Sequence, residues 1–199
     1  MLELIIATKN KGKLTEIKEL LKDLPLKITS LTDYPNIPPI EEDGLTYAQN
    51  AIKKAATIAM YTNKLTLGED SGLEVGVLNK RPGIYSARFT GKDATDKKNN
   101  QKLLKSLKNI PFKKRTARYQ CYAALVDGKK IIDVVGGSCA GVISIKLRGT
   151  NGFGYDPLFL IPRYNKTFGE LDPAIKSKIS HRARALRKIK MVLRKYLEK

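Results

Sequence analysis

"LIIATKNKGKLTEIKELL", residues 4–21, passes from an apolar run through a lysine-rich turn into an amphipathic segment. The apolar run, Leu2–Ala7, is typical of a strand that is buried on both faces. From Leu14 onwards the apolar residues follow helical spacing, and Pro25 ends that pattern. Asn10 is well suited to cap the helix at its N-terminus. The stretch therefore predicts a strand–turn–helix unit, and the helices and strands interspersed along the rest of the chain indicate an α/β protein with a mixed sheet.

The turn between these two elements resembles a phosphate-binding loop, although it matches neither G-x-x-x-x-G-K-[ST] nor G-x-G-x-x-G. A helix N-terminus presents unpaired backbone N–H groups and a partial positive charge, which together favour an anion. Lys11 and Lys13 would add full charges, and Gly12 would let a phosphate approach the backbone. The alternative is a solvated turn that happens to be rich in lysine. The turn alone leaves both interpretations open.

The composition is that of a globular protein with a strong positive charge. The 199 residues are 42% hydrophobic, which suits one domain, or one domain with two lobes. The 38 Lys and Arg residues against 19 Asp and Glu give a net charge of +19, which attracts polyanions but also arises from solvated charged faces. Because no basic recognition helix or aromatic-interleaved strand accompanies this charge, we expect no dedicated nucleic-acid binding.

The cysteines and the hydropathy pattern bear on the cellular compartment. Cys121 and Cys139 match no metal-ligand or redox spacing, which favours a reducing compartment. No stretch approaches the length of a membrane span, and the N-terminus lacks the features of a signal peptide. We therefore expect a cytoplasmic protein that does not associate with a membrane.

The remaining elements are predicted from local signals. Thr46 and Gln49 form a capping-box pair that begins a helix with an alanine-rich stripe. Asn50 and Lys54 lie one turn apart on the other side of this helix. The other predictions are a short strand over residues 26–31, a loop over 34–44, a strand, an acidic turn and a second strand over 65–78, a helix from about Asp93, a β-hairpin over 116–141 and an amphipathic helix over 179–196.

Two acidic groups stand out in so basic a chain. They are "IEEDG", with Glu41, Glu42 and Asp43, and "GEDSG", with Glu69 and Asp70. Carboxylates from two such segments can jointly hold a hard divalent cation such as Mg²⁺, or one of them can orient or deprotonate a water. The alternative is ordinary surface-turn chemistry, for which these residue types are equally suited.

Two further segments contain candidate binding residues. In "GTNGFGYDPLF" the glycines Gly152 and Gly154 flank Phe153, and an aromatic ring held in this way can stack on a nucleobase. The same ring can instead fill the core beside a turn. "KSKISHRAR" contains His181, the only histidine of the chain, which is either a functional group or an ordinary residue at the start of the C-terminal helix.

Seven stretches in this order resemble the inosine triphosphate pyrophosphatase family, the HAM1-like pyrophosphatases of non-canonical purine nucleoside triphosphates. The resemblance covers essentially the whole chain and is carried by IIATKNKGKLTE, EEDGLTYAQNAIKKA, GEDSGLEVGVL, PGIYSARF, DATDKKNNQKLL, GFGYDPLF and KSKISHRARAL. It implies an elongated mixed β-sheet with flanking helices, forming a single two-lobed domain over residues 1–199 around a central cleft. It also implies a homodimer.

The implied activity is Mg²⁺-dependent hydrolysis of (d)ITP and (d)XTP to the nucleoside monophosphate and pyrophosphate, a house-cleaning reaction on the nucleotide pool. Asp70 is implied as the catalytic carboxylate, and Glu41 and Asp70 as the metal ligands, with Glu42 nearby. The residues implied to bind the triphosphate are Thr8, Lys9, Asn10, Lys11, Gly12, Lys13 and Lys54, and Ser71 is implied to contact the substrate as well. The residues implied to bind the base are Phe153, Gly154, Tyr155, Asp156, Lys176, His181 and Arg182.

The sequence departs from the usual family pattern at three positions. Lys9 stands where glycine is common, Gln49 where glutamate is common, and Glu69 precedes Asp70 where two aspartates are common. Two rival functions remain beside the purine-specific enzyme. One is a pyrophosphatase of similar architecture that prefers modified pyrimidine triphosphates. The other is a non-enzymatic nucleic-acid-binding protein that depends on the positive charge.

Overall fold

The opening strand lies between two parallel neighbours. In this computed structural model, which describes residues 1–198, β1 (Leu2–Ile6) pairs with β2 (Leu26–Ser30) on one side and with β3 (Thr66–Val75) on the other. Leu4, Ile5 and Ile6 are completely buried. The prediction of a strand covered on both faces is therefore confirmed.

Helix α1 (Lys11–Leu21) connects β1 to β2. Its N-cap is Asn10, as predicted, and the side-chain oxygen of Asn10 accepts a hydrogen bond from the backbone N–H of Lys13 at 2.9 Å. The helix begins at Lys11, three residues before the first periodic apolar residue, because the cap and not the hydrophobic stripe determines where the backbone becomes helical.

Helix α2 (Tyr47–Thr62) precedes β3 and begins at the predicted capping box of Thr46 and Gln49. It packs closely on the sheet, since a Cβ added to Gly68 of β3 would lie 2.1 Å from the carbonyl oxygen of Ala51. Asn50 and Lys54, on the polar side of the alanine stripe, are also buried. This helix is therefore covered over more of its circumference than the stripe alone indicates.

The acidic segment of β3 does not form a turn, so that part of the prediction is wrong. Thr66–Val75 is one continuous strand, and Glu69 and Asp70 lie in its middle with only 2% and 4% of their surface exposed. Acidic residues favour turns because an unpaired buried carboxylate is costly. Here both carboxylates have partners, so the strand continues through them.

The middle of the chain follows the predicted order. Helix α3 (Asp96–Ser106) is capped by Thr95, and β4 (Thr116–Asp127) and β5 (Lys130–Ile143) form the predicted hairpin around Gly128. Two short strands, β6 (Phe159–Ile161) and β7 (Lys166–Thr167), follow in antiparallel pairing. Within residues 1–198 the sheet has the order β2-β1-β3-β4-β5-β6-β7.

Two helices form the C-terminal part of the described chain. The predicted helix over residues 179–196 corresponds to α5 (His181–Leu197), and a shorter helix that was not predicted, α4 (Pro173–Ile179), precedes it. Along α5, Leu186, Ile189 and Leu193 follow helical spacing and are fully buried, whereas Leu197 is partly buried, so the predicted amphipathic character is confirmed. No helix among the described residues is long and apolar enough to cross a membrane.

The chain divides into two compact units, each with its own core. The first unit comprises Met1–Asp70, Cys121–Gly137 and the segment that begins at Arg182, and the second comprises Ser71–Gln120 and Ser138–His181. The fully buried residues at the centre of the first core include Leu4, Ile17, Leu67, Leu125 and Leu186. Those of the second include Leu73, Leu103, Phe159 and Phe168. The predicted fold class, a mixed sheet with flanking helices, is confirmed.

Replacing Gly68 tests the contact between α2 and β3. In Gly68→Ala the new methyl would meet backbone atoms of α2, so we expect the free energy of unfolding to fall by about 1–3 kcal/mol. Gly76→Ala is the matched control, because its nearest neighbour is the rotatable hydroxyl of Thr116 at 3.0 Å. Denaturant unfolding of both variants measures the difference, and equal stabilities would contradict the prediction.

Candidate functional site

The parallel part of the sheet determines where the first unit can bind a ligand. In the order β2-β1-β3, the chain runs from β1 outward to β2 and then crosses back past β1 to reach β3 on its other side. In open α/β sheets ligands bind beyond the carboxyl ends of the strands, at the point where the strand order reverses. The turn after β1 and the acidic residues of β3 both lie at that point, because Ile6 pairs with Leu67.

The turn after β1 is built as an N-terminal helix cap. The backbone N–H of Asn10 donates to the hydroxyl of Thr8 at 3.1 Å, while the side chain of Asn10 caps α1. Lys9 and Lys11 are exposed, whereas Lys13 is partly buried and its ammonium lies 2.8 Å from a carboxylate oxygen of Glu69. Of the three lysines predicted to grip phosphate here, Lys13 is therefore the one anchored against the sheet.

Glu69 lies at the centre of a buried ionic cluster that sequence reasoning missed. Its carboxylate contacts Lys13, accepts a hydrogen bond from Arg182 at 3.2 Å and accepts another from the thiol of Cys121 at 3.2 Å. Burial opposes ionisation of this carboxyl, but Arg182 and Lys13 outweigh it and hold the pKa of Glu69 well below its usual range. Glu69 is therefore negatively charged at neutral pH, and it orients two cations.

Arg182 is the largest of the completely buried side chains. Besides Glu69, its guanidinium donates to Glu16 of α1 at 2.5 Å. Burial acts against the charged form, but the two carboxylates outweigh it and raise the pKa of Arg182. The predicted contact of Arg182 with the base stays a prediction. In this structure its guanidinium ties the first turn of α5 to α1 and β3.

Asp70 lies on the other face of β3 and has different partners. One oxygen accepts a hydrogen bond from the amide of Asn50 at 3.1 Å, and the other lies 3.5 Å from the ammonium of Lys54. Burial raises the pKa of Asp70, and the attraction of Lys54 and Lys13 only partly offsets this effect. Asp70 is thus a carboxylate that is poorly stabilised as an anion, which is the property of a proton acceptor.

Lys54 joins Asp70 to the acidic loop before α2. Its ammonium lies 3.0 Å from Glu42 and 3.5 Å from Asp70. Burial disfavours the charge, but Asp70 and Glu42 outweigh it and raise the pKa of Lys54. Glu42 is thus the residue of the "IEEDG" segment that the structure brings to Asp70. Glu41 is exposed, and its role as a metal ligand stays a prediction.

The donor set around Asp70 suits Mg²⁺ that is shared with a substrate. No group of three or more His, Cys, Asp or Glu side chains arranged to hold a metal lies within residues 1–198. Mg²⁺ is usually bound by one or two carboxylates together with substrate phosphates and waters. Asp70 and the neighbouring Glu42 supply oxygen ligands of that kind, so the residues present fit the ion.

The second unit contains the predicted base-binding loop. Phe153 donates its backbone N–H to the carboxylate of Asp156 at 2.9 Å, and the same oxygen accepts from the ammonium of Lys176 at 2.6 Å. Gly152 has φ +78° and approaches this carboxylate so closely that a Cβ would lie 2.1 Å from it. The loop is therefore closed around a buried ion pair between Asp156 and Lys176.

Aromatic rings surround this ion pair. The Lys176 ammonium lies 5.0 Å from the ring centroid of Phe153 and 5.7 Å from that of Phe168. His181 is 97% buried and stacks on Tyr119 with ring centroids 4.4 Å apart. His181 is therefore part of an aromatic cluster and not a solvated helix start. Tyr155 is buried and donates to the carbonyl of Ser86 at 2.9 Å, which makes it a support of the loop.

Some site residues were beyond sequence reasoning. Glu16 gave no signal, because it is one of several charged residues on the face of α1. Asn50 had a signal in its one-turn spacing from Lys54, but nothing along the chain indicated its bond to Asp70. Ser71 follows Asp70 as the first residue of the second unit and is partly buried, and its contact with substrate stays a prediction.

The fold is that of an α/β protein in which buried carboxylates and cations meet near the carboxyl ends of the parallel strands. Residues 4–192 match the Ham1 family, and the chain belongs to that family. It is 48% identical over 192 residues to the dITP/XTP pyrophosphatase of Desulforamulus reducens, covering 96% of each chain. It is 46% identical to that of Geobacter sulfurreducens, again covering 96% of each chain.

Two solved structures are also similar to this protein over nearly the whole chain. A HAM1 protein from Coxiella burnetii superposes with a TM-score of 0.89 at 41% identity, over 98% of this chain and 100% of the other. The Ham1 protein of Staphylococcus aureus has a TM-score of 0.86 at 35% identity, over 98% of this chain and 99% of the other.

Removing the charge of Glu69 tests its structural role. In Glu69→Gln the buried guanidinium of Arg182 and the ammonium of Lys13 lose their shared counter-charge, so we expect the free energy of unfolding to fall by about 3–5 kcal/mol. Because the pKa of Glu69 is lowered in the folded protein, its contribution is present above the unfolded pKa and is lost as the pH falls through the folded one.

Denaturant unfolding at neutral and acidic pH measures this contribution. Glu19→Gln is the matched control, since Glu19 pairs with Lys22 at the surface and is 61% exposed. A Glu69→Gln variant as stable as this control at neutral pH would contradict the structural role.

Proposed function

We propose that the protein hydrolyses non-canonical purine nucleoside triphosphates, namely ITP, XTP and their deoxy forms, to the monophosphate and pyrophosphate. The observation that carries this proposal is the poorly stabilised carboxylate of Asp70 beside the ammonium of Lys54, at the sheet edge where α1 presents its N-terminus. The names of the relatives support the same activity, because they are called dITP/XTP pyrophosphatases.

We assign binding of the triphosphate to the first unit. The backbone N–H groups at the start of α1 favour an anion, and Thr8 to Lys13 surround them with hydroxyl, amide and ammonium donors. Lys13 and Lys54 are already oriented by Glu69 and by Asp70 with Glu42. Such preorganised cations stabilise the charge that develops on pyrophosphate as it leaves.

We assign Mg²⁺ as the cofactor, with Asp70 and either Glu41 or the neighbouring Glu42 as its protein ligands. When bound, the ion supplies neutralisation of phosphate charge and polarises the phosphoryl group. Asp70 accepts the proton of the attacking water. Its raised pKa makes its carboxylate a stronger base than that of an ordinary aspartate.

We assign recognition of the purine base to residues of the second unit and to Arg182, which directly follows His181 in the chain. Phe153 presents a half-buried ring for stacking, and Asp156 and Lys176 fix the loop that carries it. Donors on His181 and Arg182 suit a 6-oxo group. A 6-amino group would set donor against donor and leave buried polar groups unpaired, which would reject ATP.

We also propose a cytoplasmic homodimer, as the resemblance implies. The segment "PGIYSARF" contributes Tyr85, which is 55% exposed, and Val77 of the same unit is 41% exposed. Exposed apolar side chains of this kind are common at subunit interfaces.

A substrate panel tests the proposed activity. With Mg²⁺, we expect the protein to release pyrophosphate from ITP and XTP at a kcat/KM that exceeds that for ATP by about 10²-fold or more, because the wrong exocyclic group leaves buried donors unpaired. The panel also contains GTP and dUTP. Comparable turnover of ATP would overturn the purine assignment, and preferential turnover of dUTP would favour the pyrimidine rival.

Asp70→Asn tests the mechanism. The amide cannot accept the proton, so we expect kcat to fall by about 10²–10⁴-fold while ITP still binds. For the unmodified enzyme, activity is lost as the pH falls through the pKa of Asp70, which burial raises. Steady-state kinetics across pH measures both effects.

The control for this variant is Asp43→Asn, because Asp43 is 56% exposed and pairs with Lys53 at the surface. Full activity in Asp70→Asn would refute the role of Asp70 as base. Steeply salt-dependent nucleic-acid binding that survives Asp70→Asn, without any turnover, would support the non-enzymatic rival instead.

A further inference from the structure

Two residues near the start of α3 hold a single glycine of the predicted base-binding loop. The backbone N–H of Gly154 donates to the carboxylate of Asp96 at 2.7 Å. The backbone carbonyl of Gly154 accepts from the side-chain amide of Asn100 at 2.8 Å. Asp96 and Asn100 are four residues apart and therefore lie on the same face of the helix. Both hydrogen-bonding groups of one loop residue are thus bound by one helix.

The amide of Asn100 can point in only one direction. Its nitrogen donates both to Gly154 and to the backbone carbonyl of Asp96, each at 2.8 Å. Because both neighbours are acceptors, the nitrogen and not the oxygen must face them. Asn100 is 4% exposed, and its oxygen accepts no hydrogen bond from the described residues. The fold therefore tolerates a buried oxygen without a hydrogen bond at this position, while both N–H groups of the amide are bonded.

Gly154 depends on contacts from outside its own loop. It has φ +62°, and a Cβ placed on it would meet nothing within 4 Å, so the space on that side of its Cα is open. It directly follows Phe153, whose backbone N–H is bonded to Asp156. A shift of Gly154 therefore moves the ring of Phe153 and disturbs the turn that is closed by Asp156.

We propose that Asp96 and Asn100 are positioning residues for base recognition, which we call the α3 clamp. They act through Gly154 and hold residues 152–156 in the form that accepts the purine. This inference rests on the proposed function, because it takes that loop as the place where the base binds. It assigns a role to the "DATDKKNN" segment, which the proposed mechanism does not use.

The α3 clamp affects the base and not the triphosphate. All of its residues belong to the second unit, whereas Lys13 and Lys54 belong to the first. Loosening the clamp should weaken binding of ITP and of the product IMP, and should leave inhibition by pyrophosphate unchanged. A general loss of folded protein would instead lower the amount of active enzyme without changing either constant.

Alanine variants test the clamp. In Asp96→Ala and Asn100→Ala we expect KM for ITP and Ki for IMP to rise by about fivefold to tenfold, the value of one lost hydrogen bond. We expect kcat and the Ki for pyrophosphate to change by less than about twofold, since the phosphate contacts are intact. Asp96→Asn retains an oxygen that can accept from Gly154 and should restore most of the affinity.

A further variant reverses the polarity of the clamp. Asn100→Asp places an acceptor against two carbonyls, so it should raise KM more than Asn100→Ala does. In the double variant of Asp96 and Asn100 to alanine, the combined effect should be smaller than the sum of the single effects, because both residues hold one glycine.

The matched control is Asn99→Ala. Asn99 is a buried asparagine of the same helix that bonds to Thr90 and to the carbonyls of Ser86 and Ala87, and it makes no direct bond to residues 152–156. This variant should lower the melting temperature and raise KM much less than Asn100→Ala does. Gln101→Ala, on the exposed side of α3, should change neither quantity.

The outcomes separate this proposal from the proposed function. Absence of ITP turnover in the unmodified protein would overturn the proposed function and this proposal with it. Normal turnover in the unmodified protein, with KM for ITP unchanged in both alanine variants, would overturn the role of the clamp alone.

Discussion

Two neighbouring carboxylates are buried in the middle of one strand, and the arrangement of the first unit depends on them. Successive side chains of a strand point to opposite faces of the sheet, so Glu69 and Asp70 require separate partners. Glu69 is matched by Lys13 and Arg182, and Asp70 by Asn50 and Lys54. Because an unpaired buried carboxylate is costly, α1, α2 and α5 must each bring a polar group to β3.

The same constraint gives the two carboxyl groups opposite properties. Two cations more than compensate for the burial of Glu69 and lower its pKa, whereas the partners of Asp70 do not compensate for its burial and its pKa is raised. When two neighbouring titratable groups have environments that shift their pKa values in opposite directions, each group can have a different role. Here Glu69 orients Lys13 and Arg182, and Asp70 is left as the base.

The predictions from the sequence are correct where a structural feature depends on residues close along the chain, and they are wrong where it depends on distant residues. The Asn10 cap, the capping box of Thr46 and the burial of β1 were predicted and are confirmed. The acidic turn was wrong because carboxylates normally avoid the interior, and the partner that permits this burial, Arg182, is 113 residues away from Glu69. Lys54 and Asp70 were predicted as site residues, but Asn50, whose amide donates to Asp70, was not.

The sequence by itself determined the local elements, since caps, hydrophobic periodicity and the hairpin turn all act between residues close along the chain. It also determined the family, because seven stretches occur in the family's order. Only the tertiary structure decided that Glu69 and Asp70 lie inside a strand, that Glu42 and not Glu41 approaches Asp70, and that α3 binds Gly154. These are properties of environment: burial, charge and hydrogen bonding are set by groups that are distant in the chain and meet only in the folded protein.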